Sequence, residues 1–436
     1  MTTTTRAVLR QRLSEEIGDY QSLTTTSAGN SAGTSVVDTG LKNLPGGDRD
    51  AAFDGWHILV TSGANTGESR RIKDYIANST TLVVQEAFSG GAVDTTVTYE
   101  LHRYDPSQKH QAIDRAIEEL FPFLYLPIRD ETIVVDDRLS NSDFETFSGG
   151  FTGWTEVGSP TVTADTTTII HGSQSAKVVG DSGAAGQLTQ APSINMNEIT
   201  NKSITFKCWV WCAAADTARI RLDWDGSDIE SSTYHKGQNE WELLDVIASV
   251  PTSATQVKAV LEVVASGTAY FDACWLLAGA IQKYTIPSSI IAGPHYLTEQ
   301  GDEMDPTGEY YPIRGGPTSG RRLRFEGMGL LSRPSSDSST TEVGAPQVNI
   351  ITAYAGMYFF RTQGATNAID ERSDYTALAS MFSRDATRMA AQPGLRMPRL
   401  GAQKAKDVWH VEKDSSGRYI ISVSYTHLRA HETRHD

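Results

Sequence analysis

Short runs of alternating apolar and polar residues recur through the middle of the chain, separated by clusters of Gly, Ser, Asn and Asp. Alternation with a period of two is typical of strands with one buried face, and the clusters are typical of turns. Seven such runs lie at residues 161–163, 175–179, 203–212, 219–224, 241–248, 256–264 and 270–277. Their spacing predicts an antiparallel β-sandwich of the jelly-roll kind.

Two further β-branched and aromatic runs flank this region, Glu131 to Asp136 upstream and Gln282 to Pro287 downstream. Both predict short strands, and we expect them to be neighbours. Because the termini of a domain often lie close together, a compact domain can be inserted between neighbouring strands of another. We therefore predict that residues 138–280 form an inserted domain, and that 1–137 and 281–400 form its host.

The sequence of the first part of the host predicts a helix, a small β module and a second helix. Apolar residues recur at helical spacing over 6–19, and Gly18 stands where that helix would end. Four short runs then predict a small β-barrel or β-sandwich, at residues 55–63, 68–75, 81–84 and 96–101. Pro106 begins the second helix, which we expect to end near Phe121.

The sequence of the second part of the host predicts a hairpin followed by two helices. Residues 309–313 and 321–326 are the two arms of the predicted hairpin. Apolar residues then recur at helical spacing over 346–361 and again over 374–389, so we expect two antiparallel helices joined by a polar loop through Gly364. The expected fold class is therefore a multidomain α+β protein with an inserted antiparallel sandwich.

Composition narrows the classes of function. The chain has 436 residues, of which 39% are hydrophobic, so it is long enough for two or three cores. A formal net charge of −15 argues against general or sequence-specific binding of nucleic acid, which needs clustered Lys and Arg. No apolar run approaches the ~20 residues of a membrane span, and the N-terminus lacks the apolar core of a signal peptide. We expect a soluble product made in the cytoplasm, with no membrane partner.

The three cysteines cannot all pair. Cys208 and Cys212 stand four residues apart on one predicted strand, which separates them by roughly 13 Å and prevents a disulfide between them. We expect buried free thiols.

The predicted insert resembles the carbohydrate-binding modules of the jelly-roll type. The matching stretches are Asn141-Ser-Asp-Phe-Glu145, Gly153-Trp154, His171-Gly-Ser-Gln-Ser175, Thr205-Phe-Lys-Cys-Trp-Val210 and Tyr270-Phe-Asp272. The turn at 172–175 departs from the usual Ser-Gly-x-x-Ser pattern. The resemblance implies a structural calcium ion with Asp143, Glu145 and Asp272 as its acidic ligands, since hard oxygen ligands suit calcium. Alternatively, Asp143 and Glu145 only cap a turn.

One strand of the predicted sandwich is unusually rich in tryptophan. Alternation over 205–212 places Phe206, Cys208, Val210 and Cys212 on one face and Lys207, Trp209 and Trp211 on the other. With Trp224, the two tryptophans and Lys207 would form a platform on which sugar rings stack. The alternative is that Trp209 and Trp211 are themselves in the core, because tryptophan is usually buried.

Catalytic motifs are absent from residues 1–422. These residues contain no Gly-x-Ser-x-Gly, His-Glu-x-x-His, Walker loop or Cys-x-x-Cys, and the one His-Glu-x-x-His of the chain, at 431–435, lies in the C-terminal segment that resembles a sequencing adapter. The acidic pairs Asp136/Asp137 and Asp223/Asp225 could be glycosidase carboxylates, but spacing along the chain says nothing about the ~5 to 9 Å separation that this mechanism needs. We expect no enzyme activity, with glycan degradation as the weaker alternative.

Without the insert, the host resembles structural proteins from the neck or tail of tailed bacteriophages. The matching features are the start at 9–19, the module Gly55-Trp-x-x-x-Val-Thr-Ser-Gly-x-Asn-x-Gly67 with Arg70-Arg-Ile72, the helix Gln111 to Ile117, the strand Arg322 to Gly327 and the helix 354–361. The resemblance implies a virion subunit repeated in a ring with other virion proteins. Many copies of a weak binding domain would attach to glycans on a bacterial surface or mucus. The main alternative is a jelly roll that binds nothing and only adds bulk to the virion.

The C-terminal residues 423–436 have a different origin in our interpretation. Val423-Ser-Tyr-Thr-His-Leu-Arg-Ala-His-Glu-Thr433 resembles a translated sequencing adapter of the kind found at the ends of metagenomic reading frames. We therefore exclude it from the fold and expect the natural C-terminus, after a tail at 401–422, to be missing. Otherwise, His427, His431 and His435 would have the i, i+4 spacing of metal ligands on a helix.

Overall fold

The structure is a computed structural model that describes residues 2–224, 229–281, 283–302, 309–313, 318–366, 372–392, 409–413 and 419–423. Its helices are α1 (Arg6–Ile17), α2 (Pro106–Glu119), α3 (Met196–Ile199), α4 (Val348–Thr366) and α5 (Arg372–Ala391), with a 3₁₀ turn at Thr39–Asn43. Its strands are β1 (Thr4–Thr5), β2 (Gln21–Thr24), β3 (Ser35–Val37), β4 (His57–Val60), β5 (Ser69–Ile76), β6 (Thr81–Val84), β7 (Thr98–His102), β8 (Leu126–Asp130), β9 (Thr155–Val157), β10 (Thr161–Asp165), β11 (Ser175–Val179), β12 (Gly186–Gln190), β13 (Ser203–Cys212), β14 (Ala218–Asp223), β15 (Ile229–Ser231), β16 (Glu240–Ser249), β17 (Lys258–Val263), β18 (Thr268–Leu277), β19 (Lys283–Thr285), β20 (Ala292–Gln300), β21 (Tyr310–Pro312), β22 (Leu323–Gly329), β23 (Thr340–Thr341), β24 (Trp409–Lys413) and β25 (Tyr419–Val423). None of the described helices is both long and apolar enough to cross a bilayer. The predicted adapter histidines and most of the predicted tail lie outside the described residues.

The chain divides into two compact units, which we call unit 1 and unit 2. Unit 1 consists of Met1–Leu126 and Met328–Arg399, and unit 2 consists of Pro127–Gly327 and Leu400–Asp436. Residues 127–137 and 281–327, which the sequence analysis assigned to the host, therefore group with the sandwich.

The helices of unit 1 follow the predicted pattern. Thr5 caps α1 by accepting the N–H of Val8 at 3.4 Å, and Gly18 ends the helix in the left-handed conformation, at φ 73°. The apolar side chains on one face of each of the helices α1, α2, α4 and α5 pack together in one core. Gly364 lies inside α4, contrary to the predicted loop. The glycine that serves the close packing of α5 on α4 is Gly356, because a Cβ there would lie 2.4 Å from Phe382 Cδ1.

Buried ion pairs join α1 to the neighbouring elements of unit 1. Arg10 donates from Nε and Nη2 to the carboxylate of Glu100, at 2.8 and 3.0 Å. Lys109 Nζ lies 2.8 Å from Asp19 Oδ2. Burial alone would raise the pKa of Glu100, but hydrogen bonds from His102 and Arg10 hold it at about 2.

The β module of unit 1 is a curled six-stranded sheet in the order β2-β7-β4-β5-β6-β3. The four predicted runs correspond to β4 to β7, whereas β2 and β3 lie between the first predicted helix and the first of those runs, where the pattern predicts no strand. A bridge between Ser27 and Val37 connects the two edges, so the sheet curls around its own core. A polar sequence can form these edge strands because it needs to bury only one face.

Unit 2 contains the predicted sandwich. Sheet A has the order β10-β11-β18-β13-β16, and sheet B has the order β15-β14-β17-β12-β9. Every strand pair of these two sheets in the described part of the chain is antiparallel. Apolar side chains from both sheets form one continuous core. The α+β fold class and the antiparallel sandwich are therefore confirmed.

The remaining strands of unit 2 pair differently from the prediction. β21 pairs with β20, and β20 separates β21 from β22 in a sheet that ends with β8, so the predicted hairpin between 309–313 and 321–326 is wrong. β19 pairs with β25, and residues 133–135 run beside 321–323. The two flanking runs therefore do not pair with each other, because strand propensity does not specify which strand becomes the neighbour.

Candidate functional site

The tryptophan-rich strand β13 alternates between faces as predicted. Phe206, Cys208 and Val210 are fully buried in the core. Ile204 and Cys212, which point to the same face of the strand, are buried with them. Lys207, Trp209 and Trp211 are half-buried on the opposite face of sheet A. Neither tryptophan belongs to the core, which rules out the alternative in which both fill it.

Antiparallel register adds two aromatic residues to this face. Trp211 lies directly opposite Tyr270 of β18 on one side and Trp241 of β16 on the other. Trp209 lies next to this row on β13. We call these four residues, Trp209, Trp211, Trp241 and Tyr270, the aromatic face; all are half-buried. Trp241 and Tyr270 are site residues that the sequence pattern alone does not identify, because it shows the parity of each residue in its strand but not the register between strands.

The row across the strands has defined ring geometry. The rings of Trp211 and Tyr270 meet edge to face, with centroids 5.2 Å apart and planes at 85°. Lys177 Nζ lies 5.7 Å from the centroid of the Tyr270 ring. Because neighbouring strands lie about 4.8 Å apart, the row from Lys177 to Trp241 spans roughly 14 Å, a length that suits an extended ligand.

Trp209 offers its ring and not its N–H. Nε1 of Trp209 is buried and has no hydrogen-bond partner among the described atoms, and the same holds for Nε1 of Trp275. A ligand on the aromatic face could therefore stack on Trp209 but could not accept a hydrogen bond from it without a local rearrangement.

Trp224 is not part of this face, so its place in the predicted platform is wrong. Its side chain is 1% exposed and belongs to the sandwich core. It follows β14 with the same parity as Ile220 and Leu222, both of which point into the core. Its carbonyl also accepts the N–H of Gln256 at 3.1 Å, which holds the strand end against the next loop. The alternation of side chains over 219–224 already indicates from the sequence that Trp224 points into the core.

Two of the three cysteines form a disulfide, so the expectation of free thiols is wrong for Cys208 and Cys274. The bond joins β13 to β18 beside a β-bulge, where the register shifts between Lys207 and Trp209. Ala273 takes a left-handed conformation there, at φ 46°. Cys212 is free and buried, and burial raises the pKa of its thiol to about 12.

Asp272 is fully buried and holds a loop. Its Oδ2 accepts the backbone N–H groups of Ile170 and His171, both at 3.0 Å, and its Oδ1 accepts that of Ala273 at 2.7 Å. Burial raises its pKa to about 7, although these hydrogen bonds favour the charged form. The main-chain donors therefore offset only part of the cost of burying the charge.

Glu145 holds the same loop at another point. Its Oε1 accepts the N–H of Ser173 at 2.8 Å, and its Oε2 accepts the Ser173 hydroxyl at 2.5 Å. Asp143 is 4% exposed, its Oδ2 has no partner, and burial raises its pKa. Within the described parts of the chain, no three His, Cys, Asp or Glu side chains converge to hold a metal ion. Calcium at Asp143, Glu145 and Asp272 thus stays a prediction, favoured only by the unpartnered oxygen of Asp143.

The acidic pairs considered as glycosidase carboxylates have structural partners. Asp136 Oδ1 accepts the N–H of Ile281 at 2.7 Å, and Asp137 Oδ1 accepts that of Leu276 at 2.8 Å. Asp223 forms an ion pair with Lys258 at 3.3 Å. Asp225 lies outside the described residues.

No protein-family model matches the chain, and no curated protein sequence matches it. Several solved structures resemble part of it. The enzymatically active domain of tailspike protein 4 from bacteriophage CBA120 is 19% identical, with a TM-score of 0.25, over 34% of this chain and 22% of that one. A xylan-binding domain of family 22 is 19% identical, with a TM-score of 0.27, over 33% of this chain and 97% of the domain. TmCBM61, solved with β-1,4-galactotriose, is 16% identical, with a TM-score of 0.26, over 33% and 99%. At these identities the likeness concerns the fold alone.

Proposed function

We propose that the sandwich of unit 2 binds glycans on its aromatic face. The observation that carries the proposal is the row formed by Tyr270, Trp211 and Trp241, half-buried side chains on three adjacent strands. Aromatic rings in water favour contact with the apolar C–H faces of sugars, while polar groups beside them orient the hydroxyls. Lys177 and Lys207 flank the rings on the same face.

The rigid strands favour binding with little loss of entropy. Three antiparallel strands hold the rings, and the disulfide between Cys208 and Cys274 links two of those strands just beside Trp209. A preformed site avoids the cost of ordering side chains when the ligand binds. A row of rings across three adjacent strands fits an extended oligosaccharide better than a single sugar, and single-site affinity would be weak.

Substitution of Trp211 tests the site. We expect Trp211→Ala to weaken retention on an immobilised glycan by at least about tenfold, with a stability loss of only about 1 kcal/mol from its ring contact. Ile247→Ala is the matched control, because Ile247 is 64% exposed on the same face of sheet A, away from the aromatic row. Xylan and β-1,4-galactotriose are suitable first probes, followed by polysaccharides of bacterial surfaces and mucus glycans. Equal retention by Trp211→Ala and the parent chain on every glycan that binds would refute the site.

We further propose that the chain is a structural subunit of a tailed-phage virion that carries this domain in many copies. The support is the resemblance of the host sequence, and multivalent display would convert weak binding into attachment. Light scattering of the purified chain should then show a closed homo-oligomer. A strictly monomeric chain at all concentrations would contradict this part of the proposal without affecting glycan binding.

We propose binding without catalysis. Asp136, Asp137 and Asp223 each hold a structural hydrogen bond or ion pair within the protein, which favours a structural role over that of a proton donor or nucleophile toward a glycan. Incubation with the glycans that are retained should release no reducing ends. Release of reducing ends that is lost in Asp137→Asn would support the alternative, a glycan-degrading enzyme.

A further inference from the structure

The helix pair of unit 1 encloses a groove that the proposed glycan binding does not use. Its volume is about 600 Å³, which is within the size range of ligand sites. One end of α4 and the first three turns of α5 form its walls. The lining residues include Phe360, Arg361, Gly364, Arg372, Thr376 and Arg384.

Three arginines lie along this groove, and none forms an ion pair with a described carboxylate. Arg361 lies on α4, while Arg372 and Arg384 lie on α5, and all three are exposed. By contrast, Arg388 of the same helix is paired with Asp385 at 3.2 Å and does not line the groove. Among the described residues, Arg361 has only a ring as partner, that of Tyr358 with its centroid 5.9 Å away, so three guanidinium groups without a described carboxylate partner line one groove of a chain whose net charge is −15. They create a local positive potential that favours an anion.

The floor of the groove is apolar. Phe360 is buried and packs against Tyr375 and Phe382, with ring centroids 6.1 and 5.6 Å apart. Ala379 is buried on the α5 side, and its small side chain leaves room above it. A ligand in the groove would therefore bury an apolar body against the helices while its charged groups meet the arginines.

Arginine is the main donor available to a ligand here. The hydroxyl of Thr376 already donates to the carbonyl oxygen of Arg372 at 2.7 Å, and that of Ser380 donates to the carbonyl of Thr376 at 2.8 Å. Arg372 and Arg384 are twelve residues apart, roughly 18 Å along a helix, with space between them for an elongated ligand. The planar guanidinium group binds carboxylate or phosphate oxygens with two parallel hydrogen bonds.

We propose that this groove binds an organic anion in which a carboxylate or phosphate group is attached to an elongated apolar body. The charged group lies against Arg372 or Arg384, and the body lies over Phe360 and Ala379. The proposal rests only on the described residues of α4 and α5. The proposal is independent of glycan binding by unit 2.

The test uses the fluorescent anion 1-anilinonaphthalene-8-sulfonate on the full chain. We expect saturable binding that weakens at least about tenfold in Arg372→Met/Arg384→Met, because each methionine keeps much of the alkyl chain and removes the charge. Ser380→Trp, at an exposed position that lines the groove, should block binding by filling the space while leaving all three arginines in place. Arg388→Met is the matched control and should bind as the parent does. Circular dichroism confirms that each variant is folded.

Displacement separates the two anion chemistries. Octanoate and octyl phosphate should both compete with the dye, and the stronger competitor identifies the preferred group. Sodium chloride at equal ionic strength should compete less, because it has no apolar body. The proposal is overturned if the dye binds the Arg372→Met/Arg384→Met variant as tightly as the parent, if Arg388→Met weakens binding equally, or if neither octyl compound displaces the dye.

Discussion

The backbone N–H of Ile281 donates a 2.7 Å hydrogen bond to Oδ1 of Asp136, 145 residues earlier in the chain. The chain thus enters and leaves the sandwich region at nearly the same point. Tyr284 strengthens this junction, because its hydroxyl lies 2.8 Å from the N–H of Asp136. Adjacent entry and exit points are the geometry that an inserted domain requires, even though the two flanking runs do not pair as strands.

This junction predicts that the insert can be removed. Residues 138–280 alone should form a soluble β-domain, and the chain with a Gly-Ser linker of two to four residues in their place should retain its helices, since a short link spans this distance. Circular dichroism and cooperative thermal unfolding of both products are the measurements. The nested arrangement is wrong if either product is unfolded while the intact chain folds.

The burial of Trp224 predicts a large loss of stability on truncation. Trp224→Ala should cost about 3–5 kcal/mol, because it opens a cavity in the sandwich core. Trp211→Ala is the matched control and should cost much less, since its ring is half-exposed. Urea unfolding of the two variants of the isolated insert provides the comparison. Similar costs for both would mean that the core assignment of Trp224 or the exposure of Trp211 is incorrect.

The disulfide predicts a redox-dependent stability. Cys208 and Cys274 are 66 residues apart, and a link across a loop of that size stabilises by about 2–4 kcal/mol, chiefly by restricting the unfolded chain. Reducing agent should therefore lower the unfolding midpoint of the parent and leave Cys208→Ala/Cys274→Ala unaffected. Thiol titration of the unfolded, unreduced chain should find one free thiol, from Cys212. Three free thiols in oxidised protein would remove the disulfide.

The buried carboxyl of Asp272 predicts that stability falls as the pH rises. Its folded pKa of about 7 lies above the ordinary value of 3.8, so between these values the folded state holds a proton that the unfolded state has lost. The contribution of this group is therefore most favourable below about pH 4 and declines up to about pH 7. Melting at pH 4.5, 6 and 8 measures it. The decline should be smaller in Asp272→Asn, and an unchanged slope in that variant would contradict the assignment.

Calcium would have the opposite effect on the pH dependence of stability, because it binds the charged form of the same carboxylates. If the ion implied by the resemblance binds, it should raise the melting midpoint at pH 8 and have less effect at pH 5, where Asp272 is protonated. Chelator should reverse the rise. Asp143→Asn should abolish it, because Oδ2 of Asp143 is the buried oxygen without a partner. A midpoint that is the same with calcium and with chelator would exclude the ion.

The sequence by itself determined which way many side chains point. The period of two over β13 placed Phe206 and Cys208 inside and Trp209 and Trp211 outside, and the helical stripe with Gly18 at its end located α1. These features depend on residues within a few positions of each other, so local periodicity is enough to specify them.

Only the tertiary structure decided which strands become neighbours. The pairing of Cys208 with Cys274 and the row of Tyr270, Trp211 and Trp241 depend on the register between strands that are distant in the chain. β20 separates strands that the sequence suggested as a hairpin, and its own pattern is weak because it contains glycine and proline. Strand order and register are set by the combined burial of both sheets, a property that no single stretch of sequence carries.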